Sequence, residues 1–322
     1  MQPAPESRQP PDGARARDLA GYAGKPPIVA WPEGARLALS IAIDFEEGAE
    51  RNPLEGDAFS EAGDPESVSE GAVGEPDVRS LQAESIWEYG PRSGAWRLLR
   101  ILAAHRVPVT FFCAGQALER NPPLAEQIVR QGHEVAGRGY RLMPYYPLSE
   151  AEERADIGKA VDTIRRMTGK APAGWRSRAP SERTRRLLIE AGSFIYDSDF
   201  SGDDLPVLET ALSPRFVKIP YTLETSDAGY WALAGTPGFT RPSDFGDVLV
   251  RTFDRLYAES LACPKLMSVG LRLRISGRPS RAGQLERFLR HARGPSGVWF
   301  ARRDVIAQWW LDHAPAAAAG AG

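Results

Sequence analysis

Asp44-Phe45-Glu46-Glu47-Gly48-Ala49-Glu50 closes the apolar run LALSIAI at 37–43. Adjacent carboxylates at the end of a strand can serve as a general base or bind a metal, because the strand holds them and the glycine lets the chain turn away. Imidazole is scarce: the 322 residues include four histidines, His105, His133, His291 and His313. A mechanism that needs several imidazoles in one pocket is constrained from the outset. Neither cysteine, Cys113 or Cys263, stands in a CxxC or CxxH pair of the kind structural zinc uses. Trp87, Tyr89 and Trp96 offer ring faces that could wall a pocket, although Trp96 with Leu99 also has the spacing of a core stripe. Asp199, Asp203 and Asp204 read more simply as a polar turn than as a cation site.

These side chains need elements to hold them. Runs at 37–43, 107–114, 134–136, 194–198, 216–220 and 265–271 read as strands, several apolar on both faces as a buried parallel sheet requires. Helical patterns alternate with them. Ser149 with Glu152 makes a capping box ahead of Ile157, Val161, Ile164 and Met167, and Ser181 and Ser243 are expected to open two more helices. The alternation argues for an α/β fold, either a wound sheet or a β/α barrel. Residues 46–77 break the rhythm with eleven carboxylates and one arginine. After a barrel strand, such an insertion lies over the face where sites form, or it is a solvated acidic loop. The expected organisation is a tail at 1–17, one domain at 18–312 carrying the insertion 46–77, and a tail at 313–322.

Further motifs follow in order: Glu84-Ser85-Ile86-Trp87-Glu88-Tyr89-Gly90, Val107-Pro108-Val109-Thr110-Phe111-Phe112, Gly132-His133-Glu134-Val135-Ala136, Tyr196-Asp197-Ser198-Asp199, PYTLETSD at 220–227, GLRLRISGRPSR at 270–281 and VWFARRDVIAQWW at 298–310. In this order the chain resembles the polysaccharide deacetylase (NodB-homology) superfamily, and specifically its allantoinase-like branch. The resemblance implies a deformed (β/α) barrel, hydrolysis of a non-peptide C–N bond in an amide, cyclic ureide or cyclic imide, and assembly as a homo-oligomer. It places Glu46 and Glu47 at the paired acidic positions, one a general base and the other often a metal ligand. It also marks a departure. The family pattern Ser-His-Gly is met here by Gly137-Arg138-Gly139, its second histidine by Leu142, and its Gly-Leu-His by Gly270-Leu271-Arg272.

Guanidinium stays protonated and has no available lone pair, so Arg138 and Arg272 cannot inherit metal ligation or acid–base work. They are expected to line the pocket, either pairing with Glu46 and Glu47 or binding an anionic ligand, unless they merely bridge loops. Arg176 and Arg178 lie where the family places substrate-facing residues; they could orient a carboxylate or an oxyanion, or bridge to the acidic 46–77 segment. With Trp87 and Tyr89 they complete the candidate substrate-binding set. His133 is expected to be structural. The expectation is a hydrolase acting on a small, anionic molecule with no zinc–histidine site and no cofactor. The alternative is an altered or inactive relative that binds an anion or performs a non-hydrolytic biosynthetic step.

Composition narrows the partners. The balance of 40 Lys+Arg against 42 Asp+Glu, net charge −2, provides no field for nucleic acid or an anionic membrane. No run reaches the roughly 18 apolar residues of a membrane span. The opening MQPAPESRQPPDGARARD lacks the apolar stretch of a secretory signal, so a cytoplasmic location is expected.

Overall fold

The first strand, β1 (Leu37–Phe45), is buried at every residue, and its alternation serves two different cores. Leu37, Leu39, Ile41, Ile43 and Phe45 cluster with Leu98, Leu99, Leu102 and other helix residues on the outside of the sheet. Ala38 and Ala42 point the other way, toward Phe112, Tyr196, Ile219, Tyr221 and Leu266. Ser40 and Asp44 share that inward face by the same two-residue period. A polar residue at an inward strand end is thus set over an otherwise packed interior.

The computed structural model describes residues 17–61, 75–213, 215–230 and 238–314. Eight further strands are present among them: β2 (Thr110–Cys113), β3 (Glu134–Gly137), β4 (Gly174–Trp175), β5 (Tyr196–Asp197), β6 (Val207–Leu208), β7 (Val217–Lys218), β8 (Lys265–Arg272) and β9 (Val298–Phe300). They run in the order β6-β7-β5-β4-β3-β2-β1-β8, all parallel except β6 against β7. One edge of β1 pairs with β8 from Leu37↔Lys265 to Asp44↔Arg272. Its other edge takes β9 at Leu37–Leu39 and β2 at Ala42–Phe45. No ladder joins β8 back to β6 among the described residues. Instead segment 220–227 fills the gap, with the Gly270 amide donating to the Thr225 carbonyl at 3.0 Å. The result is the deformed (β/α) barrel that the sequence led us to expect.

Helices cover the outer face: α1 (Leu81–Tyr89), a π-helical turn at Gly90–Gly94, α2 (Ala95–His105), α3 (Gly115–Arg120), α4 (Pro122–Arg130), α5 (Glu150–Thr168), α6 (Thr184–Ala191), α7 (Pro242–Glu259), α8 (Leu273–Ser276) and α9 (Pro279–Ala292), whereas α10 (Arg303–His313) packs Ile306, Ala307 and Trp310 into the inward-facing core. The Ser149–Glu152 capping box opens α5 as expected. The other two starts differ. Ser181 does not cap α6: its hydroxyl accepts from the Arg183 amide and donates to Glu153, and the helix begins three residues later. Ser243 lies inside the first turn of α7, which opens with Pro242, while Asp244 accepts from the Arg241 amide. The strands expected at 194–198 and 216–220 shrink to two-residue ladders.

The described part of the acidic segment is tied down rather than merely solvated. Arg141 grips Asp57 at 2.6 and 3.0 Å, Arg178 grips Glu61 at 2.6 and 2.8 Å, and Gln116 donates to Glu55 at 2.9 Å. Residues 62–74 of that segment, and all of the expected tails except Arg17, His313 and Ala314, lie outside the described residues. The closing helix reaches His313, one residue beyond the expected domain limit. Among the described residues no helix is long and apolar enough to cross a membrane.

Candidate active site

Parallel strands deliver their C-terminal ends to one end of a barrel, so residues far apart in sequence converge there. Asp44 closes the inward face of β1 directly opposite Arg272 of β8. Arg138 follows β3 and Arg176 follows β4. Arg176 Nη1 reaches both oxygens of Asp44, at 3.0 and 3.2 Å, and Arg138 Nη2 approaches the same carboxylate at 3.4 Å. Arg272 Nη2 completes the ring at 3.9 Å. Arg272 is itself held by Asp227, which accepts from its amide at 2.6 Å and from Nη1 at 3.0 Å, and also from Ser276 Oγ at 2.8 Å.

Glu46 and Glu47 sit on the turn just beyond β1, and both are buried. Arg138 Nε donates to Glu46 Oε2 at 2.8 Å with Nη2 in ion-pair contact at the same distance, and Arg274 Nη1 donates to Oε1 at 2.9 Å. The same Arg274 Nη1 lies 3.3 Å from Glu47 Oε1, while the Arg274 amide donates to that oxygen at 3.1 Å. The Arg274 guanidinium carbon lies over the Trp87 ring, 3.6 Å from its centroid. Gly90 explains why the Glu-Tyr-Gly run ends in glycine. A Cβ there would stand 2.5 Å from Glu47 Oε1 and 3.1 Å from the Arg274 amide. Gly90→Ala is therefore expected to dislodge Glu47 and lower turnover at least tenfold while circular dichroism shows the fold retained; unchanged turnover would mean that Glu47 placement is immaterial.

The two adjacent glutamates face different electrostatics. Burial opposes ionisation of Glu46, but Arg138, Arg274 and Arg272 outweigh it and hold the carboxylate well below its usual range. Glu47 is pushed up to about 7 by burial; Arg274 works against the shift and the charge of Glu46 adds to it. One carboxylate is thus permanently charged, and its neighbour changes charge near neutrality.

Of the residues singled out in the sequence, Glu46, Glu47, Arg138, Arg176, Arg272 and Trp87 come together. Two do not join the hydrogen-bonded cluster. Arg178 spends its guanidinium on Glu61 and the Leu142 carbonyl, the bridge to the acidic segment. The Tyr89 hydroxyl accepts from Arg97, and its ring lies under Arg278 at 3.9 Å. Arg274 and Asp227 were missed as site residues, although both lie in motif runs; Arg274 stands two residues beyond Arg272, but a short helix turns it back toward the glutamates. His133 is structural: its Nδ1 accepts from the Val109 amide at 3.3 Å, and burial, then Arg302, pushes it down to about 4. His105, His291 and His313 make their contacts with Glu286, Asp254 and the Trp309 carbonyl.

The donor set does not fit a divalent metal of the kind many barrels of this type hold. The position bridging Glu46 and Glu47 is already taken by the guanidinium of Arg274. Imidazole and thiolate are missing from the cluster, and among the described residues no three His, Cys, Asp or Glu side chains are grouped to hold a metal ion.

Comparison with known proteins sets this geometry in context. The model of the polysaccharide deacetylase family matches residues 83–192. A Schizosaccharomyces pombe protein described as "Putative polysaccharide deacetylase" is 35% identical over 91% of this chain and 96% of its own. The crystal structure of a probable polysaccharide deacetylase from Pseudomonas aeruginosa superimposes with a TM-score of 0.88 at 41% identity, covering 94% of this chain and 99% of the other. That of Puue allantoinase does so with a TM-score of 0.88 at 40% identity and the same coverage.

Proposed function

The chain belongs to the polysaccharide deacetylase family, on its allantoinase-like branch, and from that premise we propose that it hydrolyses a non-peptide C–N bond in a small amide, cyclic ureide or cyclic imide. The observation that carries the reading is the unequal pair: Glu46 held between two guanidinium groups that keep it ionised, and Glu47 beside it, which burial pushes up to about 7. A group with affinity for a proton near the working pH is the better general base and, once protonated, the better acid.

In this mechanism Glu47 takes a proton from water as the oxygen forms its bond to the substrate carbonyl carbon. The carbonyl π electrons move to oxygen, and the developing negative charge lies against the guanidinium cluster. The C–N bond then breaks, its electron pair leaves with nitrogen, and Glu47 returns the proton to that nitrogen. Glu46 does not exchange protons; it holds Arg138 and Arg274 in position. Arg138 also keeps one buried donor in reserve: Nη1 has no hydrogen-bond partner among the described residues. A substrate oxygen, whether a carboxylate or the oxyanion itself, would satisfy it, which supports the choice of an anionic substrate.

Turnover of allantoin, hydantoin and succinimide by the purified protein tests the reading. Dialysis against a chelator is expected to leave that turnover unchanged. Loss of activity that returns with zinc would overturn the guanidinium-based mechanism. The alternative, a non-hydrolytic binder of anions, draws on the same pairing, since Glu46 is engaged by arginines; binding of the anionic ring-opened compounds allantoate, N-carbamoylglycine and succinamate, with no hydrolysis of the three parent rings, would select it.

A further inference from the structure

Two buried polar atoms belong to residues that interact with Arg176, and the mechanism above uses neither. The Tyr221 ring lies against the Arg176 guanidinium at 3.7 Å and is 3% exposed, yet its hydroxyl has no hydrogen-bond partner among the described residues. Asp199 accepts from the Ser177 amide through Oδ1 at 2.8 Å, while its Oδ2 is buried without a partner. The two residues are built into one unit. The Tyr221 amide donates to the Phe200 carbonyl, next to Asp199, and Ser201 Oγ donates back to the Tyr221 carbonyl, both at 2.8 Å.

The fold makes room for this arrangement. Gly270 lies on β8 two residues before Arg272, so both share the inward face. A Cβ on Gly270 would collide with the Tyr221 hydroxyl and the ring carbon that bears it, so the phenol tip occupies the space a side chain would have filled. It therefore lies one level below the Asp44–Arg272 pair. Buried polar atoms are ordinarily satisfied, and two that are not, on residues that both interact with one guanidinium, mark a place for an incoming group.

We propose that Tyr221 and Asp199 are specificity-determining residues that read an adjacent carbonyl and N–H on the substrate, Tyr221 donating to the carbonyl oxygen and Asp199 accepting from the N–H. Arg176, anchored by Asp44, interacts with both, carrying its guanidinium over the Tyr221 ring and attracting the Asp199 carboxylate by charge. A neighbouring C=O and N–H is what amides, ureides and imides have in common. Burial, with Asp197 beside it, pushes the Asp199 carboxyl up to about 6, so at neutral pH it is the acceptor that an N–H requires. The proposal rests on the hydrolytic reading for its substrate class.

The experiment compares succinimide, which has the N–H, with N-methylsuccinimide, which lacks it. Wild type, Tyr221→Phe and Asp199→Asn are assayed for kcat and KM, with calorimetric binding of both compounds in parallel. Tyr221→Phe keeps the ring on Arg176 and is expected to raise KM for both compounds about tenfold, leaving kcat within threefold. Asp199→Asn is expected to erase most of the preference for succinimide over its N-methyl form, an effect that a merely structural role would not produce. Unchanged KM in the first variant and an intact preference in the second overturn the proposal. Should wild type bind succinimide without hydrolysing it, the hydrolytic reading falls while the subsite is judged by the same preference in Kd. Absence of any binding to wild type overturns both.

Discussion

Glu47→Gln is expected to lower kcat by about 10²–10⁴-fold, the usual contribution of a positioned acid–base group, with little change in KM. The wild-type pH profile is the companion measurement. Because ionised Glu47 is the base, kcat/KM should rise with pH through a midpoint near 7, and the residual activity of Glu47→Gln should lack that limb. Neighbours shift the midpoint in opposite directions. Glu46→Gln removes a negative charge that raises Glu47, so the limb should move to lower pH. A limb that persists in Glu47→Gln would assign the proton to another group. Stability carries the same signature with the sign reversed. A carboxyl raised in the folded state above its ordinary 4.5 favours folding below that value, and the contribution is lost as pH rises through about 7. Glu47→Gln should flatten that decline in the urea midpoint between pH 5 and 8.

Arg274→Ala should have the largest effect on the molecule as a whole. The side chain bridges two buried carboxylates and lies over Trp87, so its removal leaves buried Glu47 without a side-chain cation beside a Glu46 that keeps Arg138. Breaking a buried pair from one side costs about 3–5 kcal/mol, far more than the ion pair itself contributes relative to an apolar substitute. Turnover should fall below detection and the urea midpoint should drop. Arg274→Lys is the sharper probe. Lysine keeps the charge but cannot spread a planar group over Trp87 while reaching both glutamates, so partial stability and poor catalysis are expected. With the opposing cation weakened, the Glu47 midpoint should move above 7, opposite to its movement in Glu46→Gln. A wild-type midpoint and rate in Arg274→Lys would show that only charge matters at this position.

Much of the fold was legible in the chain. The all-apolar β1 run, the Ser149–Glu152 cap and the alternation of strand and helix specify local elements through short-range sterics and hydrogen bonding. The helix starts misassigned to Ser181 and Ser243 were decided by other demands: Ser181 serves buried Glu153, and Pro242 fits the first turn where its missing amide proton is not needed. The ladders at Tyr196–Asp197 and Val217–Lys218 are short, with the Val217 and Ile219 amides donating to the Ile195 and Asp197 carbonyls; beyond them Pro220 has no amide proton and its carbonyl accepts from the Ser268 and Arg303 side chains.

The sequence by itself determined the chemistry on offer: two adjacent carboxylates after a strand, and arginine at two positions where the family pattern has histidine. These are matters of residue type, and no packing changes what a guanidinium can bind. The tertiary structure decided which charges meet. Parallel pairing in register put Asp44 beside Arg272, the turn of α8 folded Arg274 back over Glu46 and Glu47, and Arg178 was drawn away to Glu61. Proton affinity depends on burial and on charges a few ångströms away, so the difference between Glu46 and Glu47, identical neighbours in the chain, exists only once the barrel has closed around them.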